Sequence, residues 1–240
     1  MFRTRAIAIF AFVICLFPEI DARVMTKSTV INVTIHHLSK EIAVDDLGNV
    51  AWKSAAEIRV EKYWSGESAP EGRRVKARML WSDSALYVRF EATLAEPLVV
   101  SKKPDLTMKT MGLWDRDVVE IFVAPDHKEP RKYFEFEVAP TGEWLDVALD
   151  LTSGTRISDW KYVSRMESFA KVEKNRFLAV MKIPWSAFGR TPKAGDVWLG
   201  NLLRCVGKDP GRGYLAWRST LTKEPAFHVP EKFGEFRFVD

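Results

Sequence analysis

The sequence predicts an all-β protein, built as a β-sandwich of antiparallel strands with a few short helical turns. The first observation is that apolar and polar residues alternate along most of the chain. Ile31, Val33 and Ile35, for example, share one side of residues 30–36, and such a period of two is typical of strands with one buried face. The second observation is that turn-forming residues separate these stretches at nearly regular intervals, at 82–84, 125–131, 140–142 and 207–213. Many short strands divided in this way favour a sandwich.

The elements can be assigned in chain order from this pattern. Helical pattern is scarce: one turn is predicted within 183–189, between Pro184 and Gly189, and short pieces are predicted near 52–56. Because no repeat, low-complexity linker or shift of composition divides the chain, residues 23–240 are expected to form a single domain. The predicted strands are 30–36, 76–81, 85–93, 117–124, 132–139, 143–150, 176–183, 196–205, 213–219 and 234–239.

The first 22 residues have the order of a secretory signal peptide. Arg3 and Arg5 precede an apolar run of about a dozen residues, which is too short to span a bilayer, and the segment ends on the small residue Ala22. We therefore expect cleavage after residues 1–22 and a secreted or periplasmic protein. No second long apolar run follows, so the mature chain is expected to have no membrane partner.

Composition narrows the classes of function. The chain has 36 Lys and Arg against 32 Asp and Glu, for a net charge of +4, and this mild, mixed charge argues against a nucleic-acid partner. Cys205 alone remains after signal removal, so no internal disulfide is expected and a buried thiol is the simplest interpretation. HExxH, CxxC, GxSxG and Walker-type motifs are missing from the sequence, and its four histidines lack metal-ligand spacing. We accordingly predict no catalytic residues and no required cofactor.

Glu120 is the residue that the strand pattern leaves unexplained. It interrupts the nearly continuous apolar run of 117–124, and Trp114 stands just ahead of that run. Glu135 and Glu137 on the next predicted strand could share a face with Glu120 across a hairpin. A sugar ring presents apolar C–H faces that stack on indole, while its hydroxyls require acids, amides and guanidinium groups. The residue types that a sugar site needs are supplied by Trp114, Glu120, Asn201, Arg204 and Trp217. Glu137 is counted with them as a predicted saccharide-binding residue.

Several segments in order resemble carbohydrate-binding module family 9. They are EIAVDDLGNVAWKSA, ARMLWSDSALYVRFEA, LWDRDVVEIFVAPD, KYFEFEVAPTGEWLD, IPWSAFGRTPKAGDVWLGNLLRC, YLAWRST and FHVPEKFGEFRF, and they cover residues from about 40 to 240. The resemblance implies an immunoglobulin-like β-sandwich of the DOMON type that binds the ends of plant-wall sugar chains, such as xylan or cellulose, between two tryptophans. It implies that Trp114 and Trp217 form this clamp and that Glu120 holds sugar hydroxyls.

The resemblance also leaves alternatives open. Glu137 and Ala139 stand where family members offer Arg and Asn, so the hydrogen-bonding set differs, and Arg204 could instead pair with Glu120 or Glu137 in a structural ion network. Family members often bind calcium, for which the loop acids Asp45, Asp46 and Asp83 are candidates.

Three other functions compete with saccharide binding. The first is a haem-binding redox domain of the DOMON type, although Met79, Met108, Met111 and Met181 are not tied by motif to a histidine. The second is a glycoside hydrolase that uses Glu120 and Glu137 as its two carboxylates. The third is an interaction domain that shares only the fold.

Overall fold

The structure is a computed structural model that describes residues 32–240. The predicted signal peptide, residues 1–22, lies outside the described residues. Thirteen strands occupy the described part of the chain: β1 (Asn32–His37), β2 (Ile58–Val60), β3 (Val75–Trp81), β4 (Ala85–Thr93), β5 (Val118–Ala124), β6 (Lys132–Val138), β7 (Trp144–Asp150), β8 (Ile157–Asp159), β9 (Glu167–Val172), β10 (Arg176–Pro184), β11 (Val197–Val206), β12 (Gly213–Ala216) and β13 (Gly234–Val239).

Helical structure within residues 32–240 consists of single 3-10 turns. The predicted turn within 183–189 is confirmed at Trp185–Phe188, and the predicted piece near 52–56 forms at Val50–Lys53. Three further turns lie at Glu71–Arg73, Leu113–Asp115 and Pro230–Lys232. Within the described residues, no helix is both long and apolar enough to cross a membrane.

The strands join into one curled sheet in the order β8-β7-β6-β5-β11-β13-β1-β3-β4-β10-β9, with β12 paired to β11 and β2 paired to β3. The pairings are antiparallel except around β1, which runs parallel to both β13 and β3. An antiparallel pair can be closed by a tight turn, whereas β1 and β13 lie near opposite ends of the chain and have no such turn to constrain them. The alternation of residues within one strand does not indicate whether that strand pairs in a parallel or an antiparallel direction.

The curl brings two halves of the sheet face to face around the main core. Val88 and Phe90 from β4 belong to the same buried cluster as Ile121 from β5, Phe136 from β6 and Trp198 from β11. Edge-to-face aromatic contacts, with 5.1 Å between the ring centroids of Trp198 and Phe238, fill the centre. The prediction of an all-β sandwich is therefore confirmed.

Strand β5 is buried on both of its faces, as its nearly continuous apolar run suggested. Its Val119, Ile121 and Val123 side chains enter the main core. Val118 and Phe122 belong to a second apolar cluster on the opposite, outer face of the same half of the sheet. This outer face, covered in part by residues 225–228, is where the cavity described below lies.

The sequence pattern missed β2, β8 and β9 and extended β12 too far. β2 and β8 have three residues each, too few for alternation to show. β9 is an edge strand with no fully buried residue, so it lacks the apolar side that the pattern requires. Strand β12 ends at Ala216 rather than at the predicted residue 219.

Candidate functional site

A cavity of about 340 Å³ opens on the outer face of strands β5 to β8, beside β11 and β12. Its position follows from the sheet order, which sets these strands side by side. The residues that line it are largely of three kinds. The aromatic ones are Trp114, Phe122, Trp160, Tyr214 and Phe227, the acidic ones are Asp115, Glu120 and Glu135, and the basic ones are Arg156 and His228.

Trp114 and Trp160 form an exposed aromatic wall at this cavity. Their residues are 37% and 40% exposed, their ring centroids lie 5.9 Å apart, and their planes are inclined by 34°. Carbon atoms in contact are separated by about 3.5–4.0 Å, so a ring held between two others needs roughly 7–8 Å. The two indoles are too close for that. They therefore present one continuous apolar surface rather than two opposed jaws.

The backbone that carries Trp114 is held by contacts from a distant hairpin. Gly112 takes a φ of 73°, in the left-handed region that glycine adopts freely, and the 3-10 turn Leu113–Asp115 follows it. Arg212, between β11 and β12, donates hydrogen bonds to the carbonyl oxygens of Trp114 and Arg116. Because the turn is fixed in this way, Trp114 is positioned before any ligand arrives, which reduces the ordering cost of binding.

Asp117 strengthens this attachment between the Trp114 turn and the β11–β12 hairpin. Its buried carboxylate accepts hydrogen bonds from the backbone N–H groups of Gly207, at 2.6 Å, and Val99, at 3.1 Å. Asp117 precedes β5 and thus has a structural role at the entrance to that strand.

Three glutamates are gathered at and just beneath the floor of the cavity. Glu120 on β5 lies directly opposite Glu137 on β6, and Glu135 stands two residues earlier on β6 and therefore on the same face. All three side chains are buried. The predicted sharing of one face across the hairpin is confirmed by this register.

Burial governs the ionisation of these carboxyls. Burial, together with the charge of Glu135, raises the pKa of Glu120 to about 8, although a hydrogen bond from the thiol of Cys205 (Sγ to Oε1, 3.3 Å) opposes this rise. Burial likewise raises the pKa of Glu135 to about 7, and burial and the neighbouring carboxylates raise the pKa of Glu137 well above its usual value. Glu120 and Glu135 line the cavity, whereas Glu137 lies beneath it.

His228 adds an aromatic face but no charge near pH 7. Its ring stacks on Phe122 at 5.2 Å between centroids, and its Nδ1 lies 2.7 Å from the hydroxyl of Tyr133. Burial, with a smaller contribution from the charge of Arg156, lowers the pKa of His228 to about 3. Arg156 is therefore the cation among the residues that line the cavity.

The structure brings together some of the residues predicted for the site and leaves others out. Trp114 and Glu120 line the cavity, and Glu137 lies directly beside Glu120. Asn201 is buried and hydrogen-bonds the backbone N–H and carbonyl of Arg218. Trp217 does not line the cavity but stacks on Phe236, with 5.8 Å between centroids and 15° between planes. Trp160, not Trp217, is the indole beside Trp114.

Arg204 lies on the wrong face of the sheet for either predicted role. It is paired with Val119, whose side chain enters the main core, so it faces away from Glu120. Its guanidinium donates to the backbone carbonyls of Arg73, at 2.7 Å, and Thr93, at 2.9 Å. Neither Glu120 nor Glu137 forms an ion pair with Arg204 in the described structure, and the suggested ion network is not formed.

Sequence reasoning did not assign Trp160, Arg156, Tyr214 or Phe227 to the site. Trp160 ends a polar stretch, TSGTRISDW at 152–160, and an isolated indole in such a stretch is a usable signal of an exposed ring. Tyr214 and Phe227 carry no comparable signal, because apolar residues near strands are usually explained by packing.

The loop acids Asp45, Asp46 and Asp83, which were candidates for calcium binding, do not converge with other potential ligand side chains among the described residues. Asp83 has a side chain that is 97% exposed and lies 3.0 Å from Nε2 of His37, and Asp46 accepts a hydrogen bond from Asn49 at 2.7 Å. Within residues 32–240, three or more potential metal-ligand side chains converge in one place, at Glu120, Glu135 and Glu137. Asp45, Asp46 and Asp83 do not form such a group, and they do not fit a metal site built from side chains.

A protein-family model and a curated relative each match most of this chain. A family model described as carbohydrate family 9 binding domain-like matches residues 44–240. Endo-1,4-beta-xylanase A of Thermotoga maritima is 22% identical over 188 residues, which cover 78% of this chain and 16% of that protein. The chain thus spans about a sixth of the length of this curated relative.

Two solved structures share the fold. A Bacteroides uniformis protein described as a candidate carbohydrate-binding protein superimposes with a TM-score of 0.68 at 16% identity, over 86% of this chain and 98% of that one. A family 9 carbohydrate-binding module of Caldicellulosiruptor kristjanssonii, solved with cellotriose, gives a TM-score of 0.61 at 18% identity, over 87% and 94% of the two chains. At these identities the likeness shows the common fold.

Proposed function

The chain belongs to the carbohydrate family 9 binding domain-like family, and from this premise we propose that its cavity beside Trp114 binds an oligo- or polysaccharide. One observation carries the proposal: the exposed indoles of Trp114 and Trp160 border a cavity whose floor holds carboxyl groups. The apolar C–H face of a sugar ring can pack against the exposed indoles, and the sugar hydroxyls can hydrogen-bond to the carboxyl groups.

The binding mode follows from the position of these groups. One sugar ring packs its C–H face against the Trp114–Trp160 wall, and its hydroxyls reach Glu120 and Glu135 at the floor. A carboxyl group held in a fixed position makes hydrogen bonds in set directions, and these directions select particular hydroxyl positions on the sugar. Arg156 and Ser158, which also line the cavity, supply donors to ring or hydroxyl oxygens.

The ligand that we propose is a β-linked plant-wall oligosaccharide of the cellulose or xylan type. Two observations support this class: the family 9 module of Caldicellulosiruptor kristjanssonii carries cellotriose or glucose in its solved structures, and this chain resembles part of a xylanase. A volume of about 340 Å³ is at the small end of the roughly 300–1,000 Å³ usual for ligand pockets, which favours the end of a chain over its interior.

We further propose that the protein binds without catalysis and acts outside the cytoplasm after removal of residues 1–22. A glycoside hydrolase needs two carboxyls that flank the bond to be broken. Of the pair considered above, Glu137 is fully buried and does not line the cavity, so it is not in reach of a sugar. The proposal needs no cofactor.

Titration calorimetry with cello- and xylo-oligosaccharides tests this function. We expect saturable binding to the wild type and to Val172→Ala, a control on the exposed edge strand β9, with a severe loss in Trp114→Ala. No reducing sugar should be released on prolonged incubation. A failure of the wild type to bind any member of a broad glycan panel would contradict the proposal, and release of sugar that is lost in Glu120→Gln would contradict its non-catalytic part.

A further inference from the structure

The three glutamates at and beneath the cavity floor bring their carboxylate oxygens close together. One carboxylate oxygen from each of Glu120, Glu135 and Glu137 lies within 4.8 Å of the other two. Three points with that spacing share a centre that is at most about 2.8 Å from each of them. Calcium binds oxygen at about 2.3–2.6 Å, so a movement of a few tenths of an ångström by each side chain would bring all three onto one ion.

These carboxyls are buried and form no direct ion pair with a basic side chain in the described part of the chain. Glu120, Glu135 and Glu137 are 1%, 5% and 0% exposed, and within residues 32–240 no lysine, arginine or histidine forms an ion pair with any of them. An isolated buried carboxylate is so costly that it must be neutralised by a partner, a proton or a metal.

The carboxyl group of Glu137 gives a second indication that this cluster binds an ion. In the described structure neither of its two carboxyl oxygens has a hydrogen-bond partner, although the side chain is fully buried. Glu137 could donate a hydrogen bond to Glu135 only if it kept its own proton. Buried polar atoms nearly always have a hydrogen-bond partner, and a bound ion is one of the few explanations for an exception.

We propose that Glu120, Glu135 and Glu137 form a binding site for a hard divalent cation of the size of calcium. All three ligands are carboxylate oxygens, which calcium and similar ions prefer. Three negative charges would remain largely uncompensated by a monovalent ion. Magnesium requires near-ideal octahedral geometry at about 2.0–2.1 Å, which this wider triangle suits less well.

The cavity completes the site. Because Glu120 and Glu135 also line the cavity, an ion held between the three carboxylates is open to it on one side. Calcium takes six to eight oxygen ligands, and water molecules in the cavity can supply those that the protein does not. The site stands on the arrangement of the three carboxylates and does not depend on saccharide binding.

The experiment measures calcium binding by the full chain after removal of residual metal with a chelator. Isothermal titration with calcium chloride is expected to show one ion per chain, and calcium should raise the melting temperature of the wild type. Glu137→Gln and Glu135→Gln each keep the shape of the side chain and remove one charge, and each should weaken binding at least tenfold. Asp83→Asn and Asp46→Asn remove loop acids outside the cluster and should bind as the wild type does.

Diffraction locates the ion without any variant that could fail to fold. In crystals of the wild type soaked with terbium, a calcium substitute with strong anomalous scattering, a peak between Glu120, Glu135 and Glu137 would support the site. A peak elsewhere, or calcium binding that is lost in Asp83→Asn and retained in Glu137→Gln, would overturn it. So would a wild type that binds no calcium at all, in which case the carboxyls are neutralised by shared protons.

Discussion

Replacing Trp160 by alanine removes half of the aromatic wall and should weaken saccharide binding at least tenfold. Aromatic contacts of this kind contribute about 0.5–1.5 kcal/mol beyond the area they bury, and truncation of a central aromatic contact can cost roughly 2 kcal/mol or more. Since about 1.4 kcal/mol corresponds to one decade of affinity, a tenfold loss is the low end of the expected effect. Trp114→Ala should weaken binding by a similar amount.

The effect on folding distinguishes these indoles from Trp217. Trp160 is 40% exposed, so its removal leaves little cavity and should change the melting temperature by only a few degrees. Trp217 is partly buried against the main core and stacked on Phe236. Truncation of a core tryptophan costs roughly 3–5 kcal/mol, and we expect Trp217→Ala to cost toward the lower end of that range.

Calorimetric titration with a bound oligosaccharide and thermal melts of Trp114→Ala, Trp160→Ala and Trp217→Ala provide the two measurements. If Trp217→Ala abolishes binding and melts like the wild type, while Trp160→Ala binds normally, then the surface formed by Trp114 and Trp160 is not the saccharide site. That outcome would restore the clamp of Trp114 and Trp217 that the family resemblance implied.

Three other predictions follow from the surroundings of the cavity. The pKa of His228 is about 3 in the folded chain and about 6.5 when unfolded, so its contribution to stability is complete above pH 6.5 and is lost as the pH falls toward 3. The wild type should therefore lose up to about 1.4 kcal/mol per pH unit relative to His228→Gln across that window, and equal slopes in melts from pH 7 to 4 would contradict this. Arg212→Ala should weaken sugar binding several-fold, because the carbonyl oxygens of Trp114 and Arg116 lose the hydrogen bonds that Arg212 donates. An unchanged dissociation constant would show that the turn keeps its conformation without these bonds. Burial raises the pKa of the Cys205 thiol well above its usual value, so native protein should not react with a thiol reagent that labels the unfolded chain at once, and rapid labelling of native protein would argue against the buried position.

The convergence of the glutamates could be foreseen from local sequence. Glu120, Glu135 and Glu137 sit on two neighbouring strands joined by a short turn, so hairpin pairing and the period of two place them on one face. The alternation of side chains along a strand could also have excluded some of the predicted site residues. Asn201 and Arg204 are three residues apart on β11 and must face opposite sides of the sheet, so they could not both have reached one ligand.

The choice between tryptophans could not be made in that way. Trp217 follows the last residue of β12, and Trp160 follows the short strand β8. In the sequence, Trp217 lies within the predicted strand 213–219, whereas Trp160 ends a polar stretch. This difference indicates which ring is more exposed, but only the packing of each segment decides which face of the sheet each ring meets. Phe236 on β13 covers the ring of Trp217, while the ring of Trp160 remains exposed beside that of Trp114.

The sequence by itself determined the all-β class, most of the strands and the acidic character of the face that Glu120 shares with β6, because alternation and turn residues are local properties of the chain. The tertiary structure alone decided the order of the strands, the parallel pairing of β1, the burial of Arg204 against backbone carbonyls and the meeting of Trp114 with Trp160. These features depend on contacts between residues far apart in the chain. Their free energies come from shared burial across the curled sheet, and no single stretch of sequence contains both partners.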